Sequence, residues 1–240
     1  MKKINLNEVV WLGILTGFGS FIYYLFTTGR INDYIHPRMQ GYVLMAMVVF
    51  GVLALVQIEQ IFNAKRSGEI RWGNFVFIIP LLLAIAIDPT EIGVQALSNK
   101  GLVMDNHYHK EEVDINNHNT SDAKAFKYIA ENLAEQLESM EGKEVKLTGF
   151  VYKGNECTEN EFILARLIMS CCAADSWIQG IRCEWDNAGE LRENQWVQIE
   201  AKVKYIESYN KETKEIGHLP VLKVQSINPV EIPTNPYIYY

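Results

Sequence analysis

Positive charge is scarce in this chain: 22 Lys and Arg stand against 29 Asp and Glu, for a net charge of −7. No segment carries the basic stripe that contact with phosphate backbones needs, which excludes nucleic acid as a partner. Catalytic signatures are missing too. There is no glycine loop to cradle a phosphate, no nucleophile elbow, no pair of metal-binding histidines on one helix and no evident acid and base pair, so no enzyme is indicated. His218 stands alone before a strand and reads as a surface residue. Cysteine is limited to Cys157, Cys171, Cys172 and Cys183. Their spacing is not the doubled short pair of a zinc knuckle or ribbon.

What the chain has instead is a concentration of apolar residues in its first 90 positions. Val9 to Phe26 holds no charge and has about the length needed to cross a hydrocarbon core of roughly 30 Å. Tyr42 to Phe62 is uncharged until Glu59, which lies close enough to the end to snorkel. The third apolar run, Phe75 to Ile87, is 13 residues long and contains Pro80; extended to 72–88 it gives a span of minimal length, the alternative being a buried or re-entrant segment. Gly29, Arg30 and Ile31 offer no small-residue cleavage pattern after the first helix, and a second span follows, which argues against a cleaved signal peptide. Lys2 and Lys3 precede the first helix and Lys65, Arg66 and Arg71 lie between the second and third, against Arg30 and Arg38 between the first and second. The positive-inside rule then places the N-terminus in the cytoplasm and everything beyond about residue 90 outside.

The two halves differ in charge. Residues 1–98 hold 7 basic and 6 acidic side chains, net +1, whereas residues 99–240 hold 15 and 23, net −8. An acidic domain of this kind attracts cations. Residues 91–120 form a polar linker in which Asp105, His107, His109, Glu111, Glu112 and His118 gather donors suited to zinc and related ions; a solvated tether with freely titrating histidines is the plainer reading. From Ser121, which can cap a helix, Phe126, Ile129, Ala130, Leu133, Leu137 and Met140 recur at helical spacing, and Gly142 ends the pattern. Alternation replaces it at Lys143. Five strands follow, near 145–151, 162–168, 177–185, 196–206 and 219–227, and Gly149 would let the first bend or bulge. The expected architecture is a membrane-anchored α + β protein: a transmembrane domain over 1–90 with helices at about 9–26, 42–62 and 72–88, and a soluble domain over 121–240 made of an amphipathic helix and a small five-stranded OB-like β-barrel. A compact five-stranded sandwich is the alternative.

The most specific local feature is Arg166-Leu167-Ile168-Met169-Ser170-Cys171-Cys172-Ala173-Ala174-Asp175, at the end of the second strand. Adjacent cysteines on a strand point to opposite faces, so both serve one site only where the strand ends or bends. Three uses are open: packing or a disulfide with Cys183 or Cys157, thiol redox chemistry, or a metal site. For the last, Cys171 and Cys172 would be joined by Asp175, Cys183 or the linker residues His107 and His109, a set suited to a transition metal such as zinc. Nearer the N-terminus, Pro37 can pre-set the entry to the second helix, and His36 and Arg38 beside it can contact lipid headgroups or a neighbouring chain. Gly13 and Gly17 form a small-residue spacing that allows close helix approach.

The three amino-terminal helices, the loop Tyr34-Ile35-His36-Pro37-Arg38-Met39 and the Cys171-Cys172-Ala173-Ala174-Asp175 segment in a carboxy-terminal β domain resemble the YcgQ-like permease subunits over nearly the whole chain. The resemblance implies a bacterial multi-pass membrane protein and a partner, a larger multi-span permease with which such subunits form a two-component transporter. It implies no reaction and no substrate. The functional expectation is an accessory subunit whose extracytoplasmic domain captures or gates a solute such as a metal ion. A structural assembly protein and a membrane-tethered thiol redox protein are the alternatives.

Overall fold

The computed structural model describes residues 5–63, 72–86, 102–103, 122–133, 137–154, 157–209, 216–233 and 235–240. Two compact units result, one of residues 1–93 together with Cys171–Ala174, the other of residues 94–170 and 175–240.

In the first unit, α1 (Leu6–Thr28) starts at Asn5, whose side-chain oxygen accepts from the Asn7 amide at 3.2 Å. It stops at Gly29, where φ of +75° puts the backbone in the left-handed region that only glycine enters at little cost. A 3-10 turn over Pro37–Met39 leads into α2 (Gln40–Asn63). Pro37 occupies the opening of this turn and the His36 ring caps it, Nδ1 accepting from the Arg38 amide at 2.9 Å, so the helix entry is set as the sequence suggests. Residues 6–28 and 37–62 are long and apolar enough to cross a membrane. Along α2, Leu44, Met45, Val48, Val52, Leu55 and Val56 are all exposed, and a helix that is apolar all round and uncovered suits a hydrocarbon solvent. α1 and α2 meet through Phe18 and Phe50, stacked 5.8 Å apart, and through the Gln57 amide, which donates to Glu8.

Of the third apolar stretch, expected over 72–88, the described residues 72–86 are helical throughout. A 3-10 turn over Trp72–Phe77 precedes α3 (Ile78–Ala86), and residues 87–90 lie outside the described ones. Pro80 accounts for the late start of the α-helix: its ring would clash with the carbonyl four residues back, so Pro80 is tolerated only within the first turn.

The second unit is a closed five-stranded β-barrel with a helical cap. Its strands are β2 (Glu144–Tyr152), β3 (Glu161–Met169), β4 (Trp177–Glu184), β5 (Trp196–Tyr209) and β6 (Ile216–Pro229). β2 pairs antiparallel with β3 and β5, β3 with β4, and β5 with β6; the parallel contact of Cys183 and Glu184 with Leu222 and Lys223 brings β4 to β6 and closes the ring. This is a Greek-key barrel of the OB kind, and the sandwich alternative falls away. Two short strands join it that periodicity did not indicate: β1 (Leu102–Val103), parallel to β4, and β7 (Tyr237–Tyr239), parallel to β3.

The core contains Leu147, Val151, Phe162, Leu164, Ile168, Val197, Ile199 and Leu222, all fully buried. The single helix expected over 121–141 is two pieces, α4 (Asp122–Asn132) and α5 (Leu137–Met140). Its apolar stripe is nevertheless packing surface, since Phe126, Ile129, Leu133 and Met140 belong to the same core. Tyr205 of β5 donates its hydroxyl to the Leu133 carbonyl at 2.8 Å and so ties the end of α4 to the barrel.

Gly149 stands where β2 changes partners. Pairing with β5 runs from Glu144 to Phe150, and pairing with β3 runs from Phe150 to Tyr152. A Cβ at 149 would lie 2.6 Å from the Ala165 carbonyl oxygen and 2.9 Å from Leu164 Cγ, so the close approach of two backbones requires glycine here. Gly149→Ala is expected to destabilise the barrel by roughly 1–3 kcal/mol, the usual cost of overpacking. A thermal melt of the full chain followed by tryptophan fluorescence would read this as a lowered transition temperature; an unchanged melt would show that β2 and β3 separate freely.

Candidate functional site

β3 ends at Met169, and the chain turns through Ser170–Ala174 into a short 3-10 segment, Ala173–Asp175, before β4 begins. Because the strand has ended, the two adjacent cysteines are released from alternation. Their sulfurs lie 3.6 Å apart, both side chains half-buried. Asp175 is exposed at the end of the 3-10 turn, and one ligand atom from each of Cys171, Cys172 and Asp175 lies within 4.8 Å of the other two. The Ser170 amide donates to Asp175 Oδ1 at 3.3 Å and steers the carboxylate back toward the cysteines.

The backbone of this turn is held from both sides. Ile35 and Cys172 form an isolated antiparallel bridge. The His36 amide donates to the Cys171 carbonyl at 3.1 Å, and the Ala173 amide donates to the Tyr34 carbonyl at 2.8 Å. Two short motifs separated by more than 130 positions in the chain are therefore neighbours: the loop between α1 and α2 is the clamp on the cysteine turn. Tyr34 also reaches the other way, its hydroxyl donating to the Ala84 carbonyl of α3 at 3.3 Å. Beside it lies a cavity of about 560 Å³, walled by apolar residues of α1 and α3 such as Phe21, Leu25, Leu81 and Ile85, with Arg30 and Tyr34 among its lining.

Other candidate residues lie elsewhere. Cys183 sits fully buried in the barrel core, its thiol 3.5 Å from the Ile181 carbonyl, and it does not belong to the Cys171, Cys172 and Asp175 group. Burial pushes the Cys183 thiol far up, an effect that a hydrogen bond from the Leu164 backbone opposes and nearby Cys157 reinforces. A neutral buried thiol of this kind packs as a small apolar residue. His107 and His109 lie outside the described residues. His36 is buried and serves as the cap of the 3-10 turn, whereas Arg38 is exposed. Gly17 is taken up within the chain, since a Cβ there would meet Leu81 Cδ2 at 3.1 Å; a Cβ at Gly13 would meet nothing.

Periodicity gave no sign of the clamp, because Tyr34, Ile35, His36 and Ala173 act through backbone groups that every residue carries. Arg166 was a more legible signal, a lone cation in the apolar strand β3. It is buried just past the last β2–β3 pair, donates to the Thr148 carbonyl at 3.2 Å, and places its guanidinium 5.2 Å from the Trp196 ring centre.

The chain thus carries both a closed five-stranded β-barrel and two helices long and apolar enough to cross a membrane. The chain belongs to the DUF1980 family: the DUF1980 C-terminal domain matches residues 99–240 and the DUF1980 N-terminal domain residues 11–103. It is also similar to UPF0703 protein YcgQ of Bacillus subtilis (strain 168), with 22% identity over 283 aligned positions that cover 94% of this chain and 97% of that protein. Among solved structures, two of the S. cerevisiae mitochondrial single-stranded DNA binding protein Rim1 match 38% of this chain and 98% of theirs, at 13% and 16% identity and TM-scores of 0.26 and 0.25. Scores this low carry nothing about function to this chain.

The placement of the cysteines has a direct chemical consequence. Brief alkylation of the native, reduced chain is expected to modify Cys171 and Cys172 and to spare Cys183 until the barrel is unfolded. Peptide mass spectrometry after labelling checks this; equal labelling of Cys183 in the native state would mean that the barrel core opens readily.

Proposed function

We propose that the chain is an accessory, non-enzymatic subunit of a membrane permease, whose barrel domain lies outside the cytoplasm and whose cysteine turn captures or gates a metal ion. The observation that carries this reading is the convergence of Cys171, Cys172 and Asp175 within 4.8 Å on a turn clamped to the α1–α2 loop. Two thiols and a carboxylate are the donors that a borderline transition metal takes. The acidic balance of residues 99–240 favours cations over anions at such a surface. The barrel itself lends no nucleic-acid reading, because no basic stripe accompanies it.

Each cysteine gives up its thiol proton when it ligates, so binding releases protons and weakens as the pH falls. Full-length chain, extracted in detergent and kept reduced, is expected to carry about one equivalent of a transition metal, and the Cys171→Ser/Cys172→Ser chain none, by elemental mass spectrometry. Metal-free protein that takes up no added ion would remove the capture role and leave the contact with the permease as the function. For the membrane arrangement, alkaline phosphatase fused after Tyr240 is expected to be active in whole bacterial cells, whereas a fluorescent protein that folds only in the cytoplasm, fused at the same place, stays dark. The opposite pattern would put the barrel in the cytoplasm.

A further inference from the structure

The geometry points to a facial chelate in which Cys171 and Cys172 hold the same ion, with Asp175 as the third ligand, so that the cargo is a divalent tetrahedral ion of the zinc class. This rests on the capture role proposed above. Sulfurs 3.6 Å apart subtend about 100° at an ion that lies about 2.3 Å from each, close to a tetrahedral angle, whereas a linear two-sulfur ion would require a separation of roughly 4.6 Å. The observed spacing is one edge of a tetrahedron.

The backbone that carries the pair is held by the fold. The Cys171 carbonyl and the Ala173 amide, on either side of Cys172, are both engaged by the α1–α2 loop, at 3.1 and 2.8 Å. The observed separation is already close to the edge of a tetrahedral site, so closing the pair round such an ion requires little movement. The third donor agrees with the first two. A carboxylate oxygen is harder than a thiolate, and a mixed sulfur and oxygen set suits Zn²⁺ or Co²⁺ better than a soft monovalent ion or a hard ion such as Mg²⁺. The Ser170 amide on Asp175 Oδ1 is an outer-shell contact of the sort that aims a ligating carboxylate. Binding is balanced by loss of two thiol protons: the divalent ion enters, two protons leave to solvent, both cysteines stay on the ion as thiolates, and Asp175 contributes its carboxylate.

The test uses full-length reduced chain in detergent, with Co²⁺ as an optical probe and Zn²⁺ for X-ray absorption. One Co²⁺ per chain is expected, with thiolate-to-cobalt charge transfer in the near ultraviolet and the intense visible bands of a tetrahedral centre; the zinc spectrum should show two sulfurs and the remainder oxygen or nitrogen. Cys171→Ser and Cys172→Ser should each halve the sulfur count, and Asp175→Asn should weaken Co²⁺ binding at least tenfold while keeping the charge-transfer band. A thermal melt of each variant shows whether it has folded. One sulfur per ion, one ion shared between two chains, weak octahedral cobalt bands, or an Asp175→Asn chain that binds as tightly as the original would overturn the chelate and leave metal capture standing. An absence of binding by either ion would remove both.

Discussion

Closure of the barrel depends on one close approach, that of β2 to β3 at Gly149. β2 must pair with β5 over its first part and with β3 over its last, and a single strand can serve both only if it turns between them. The absent side chain at 149 lets the backbone of β2 come within contact distance of the Ala165 carbonyl. Everything downstream is registered from that point. The pairing of β3 with β4, unbroken from Glu161 opposite Glu184 to Ile168 opposite Trp177, fixes where β3 ends. Where β3 ends, the cysteines begin.

An exposed turn of six residues would ordinarily be among the more pliable parts of a domain. Here the turn is bonded on both flanks of Cys172, and the bonds come from the residues that lead into α2. The interaction is made of backbone groups, so it constrains position without consuming side chains. His36 illustrates the division of labour: its amide holds Cys171 while its ring caps the 3-10 turn that starts α2. One residue therefore serves both the helix entry and the cysteine turn.

Two cysteines of the chain thus have opposite environments from a third. Cys183 lies in the barrel core, where desolvation keeps its thiol protonated and inert. Cys171 and Cys172 lie half-exposed beside a carboxylate. Residue type alone does not separate these cases; the end of a strand does, because it decides which side chains stay in the core pattern and which leave it.

The amino-acid sequence by itself determined the elements. Uninterrupted apolar runs define α1 and α2, period-two alternation defines the five barrel strands to within a few residues, and the stripe from Phe126 to Met140 defines a packing face, since each of these is a local pattern with a local physical cause. Pro80 and Gly149 were legible as irregularities, although their consequences, a 3-10 entry to α3 and a backbone contact, required neighbours to be in place. The added strands β1 and β7 were not legible, because two or three residues are too few to carry a period. Tertiary structure alone decided which candidate ligands meet. It left Cys183 in the core, brought Cys171, Cys172 and Asp175 together, and joined their turn to Ile35, because backbone hydrogen bonds between distant segments leave no trace in side-chain pattern and exist only once the chain has folded.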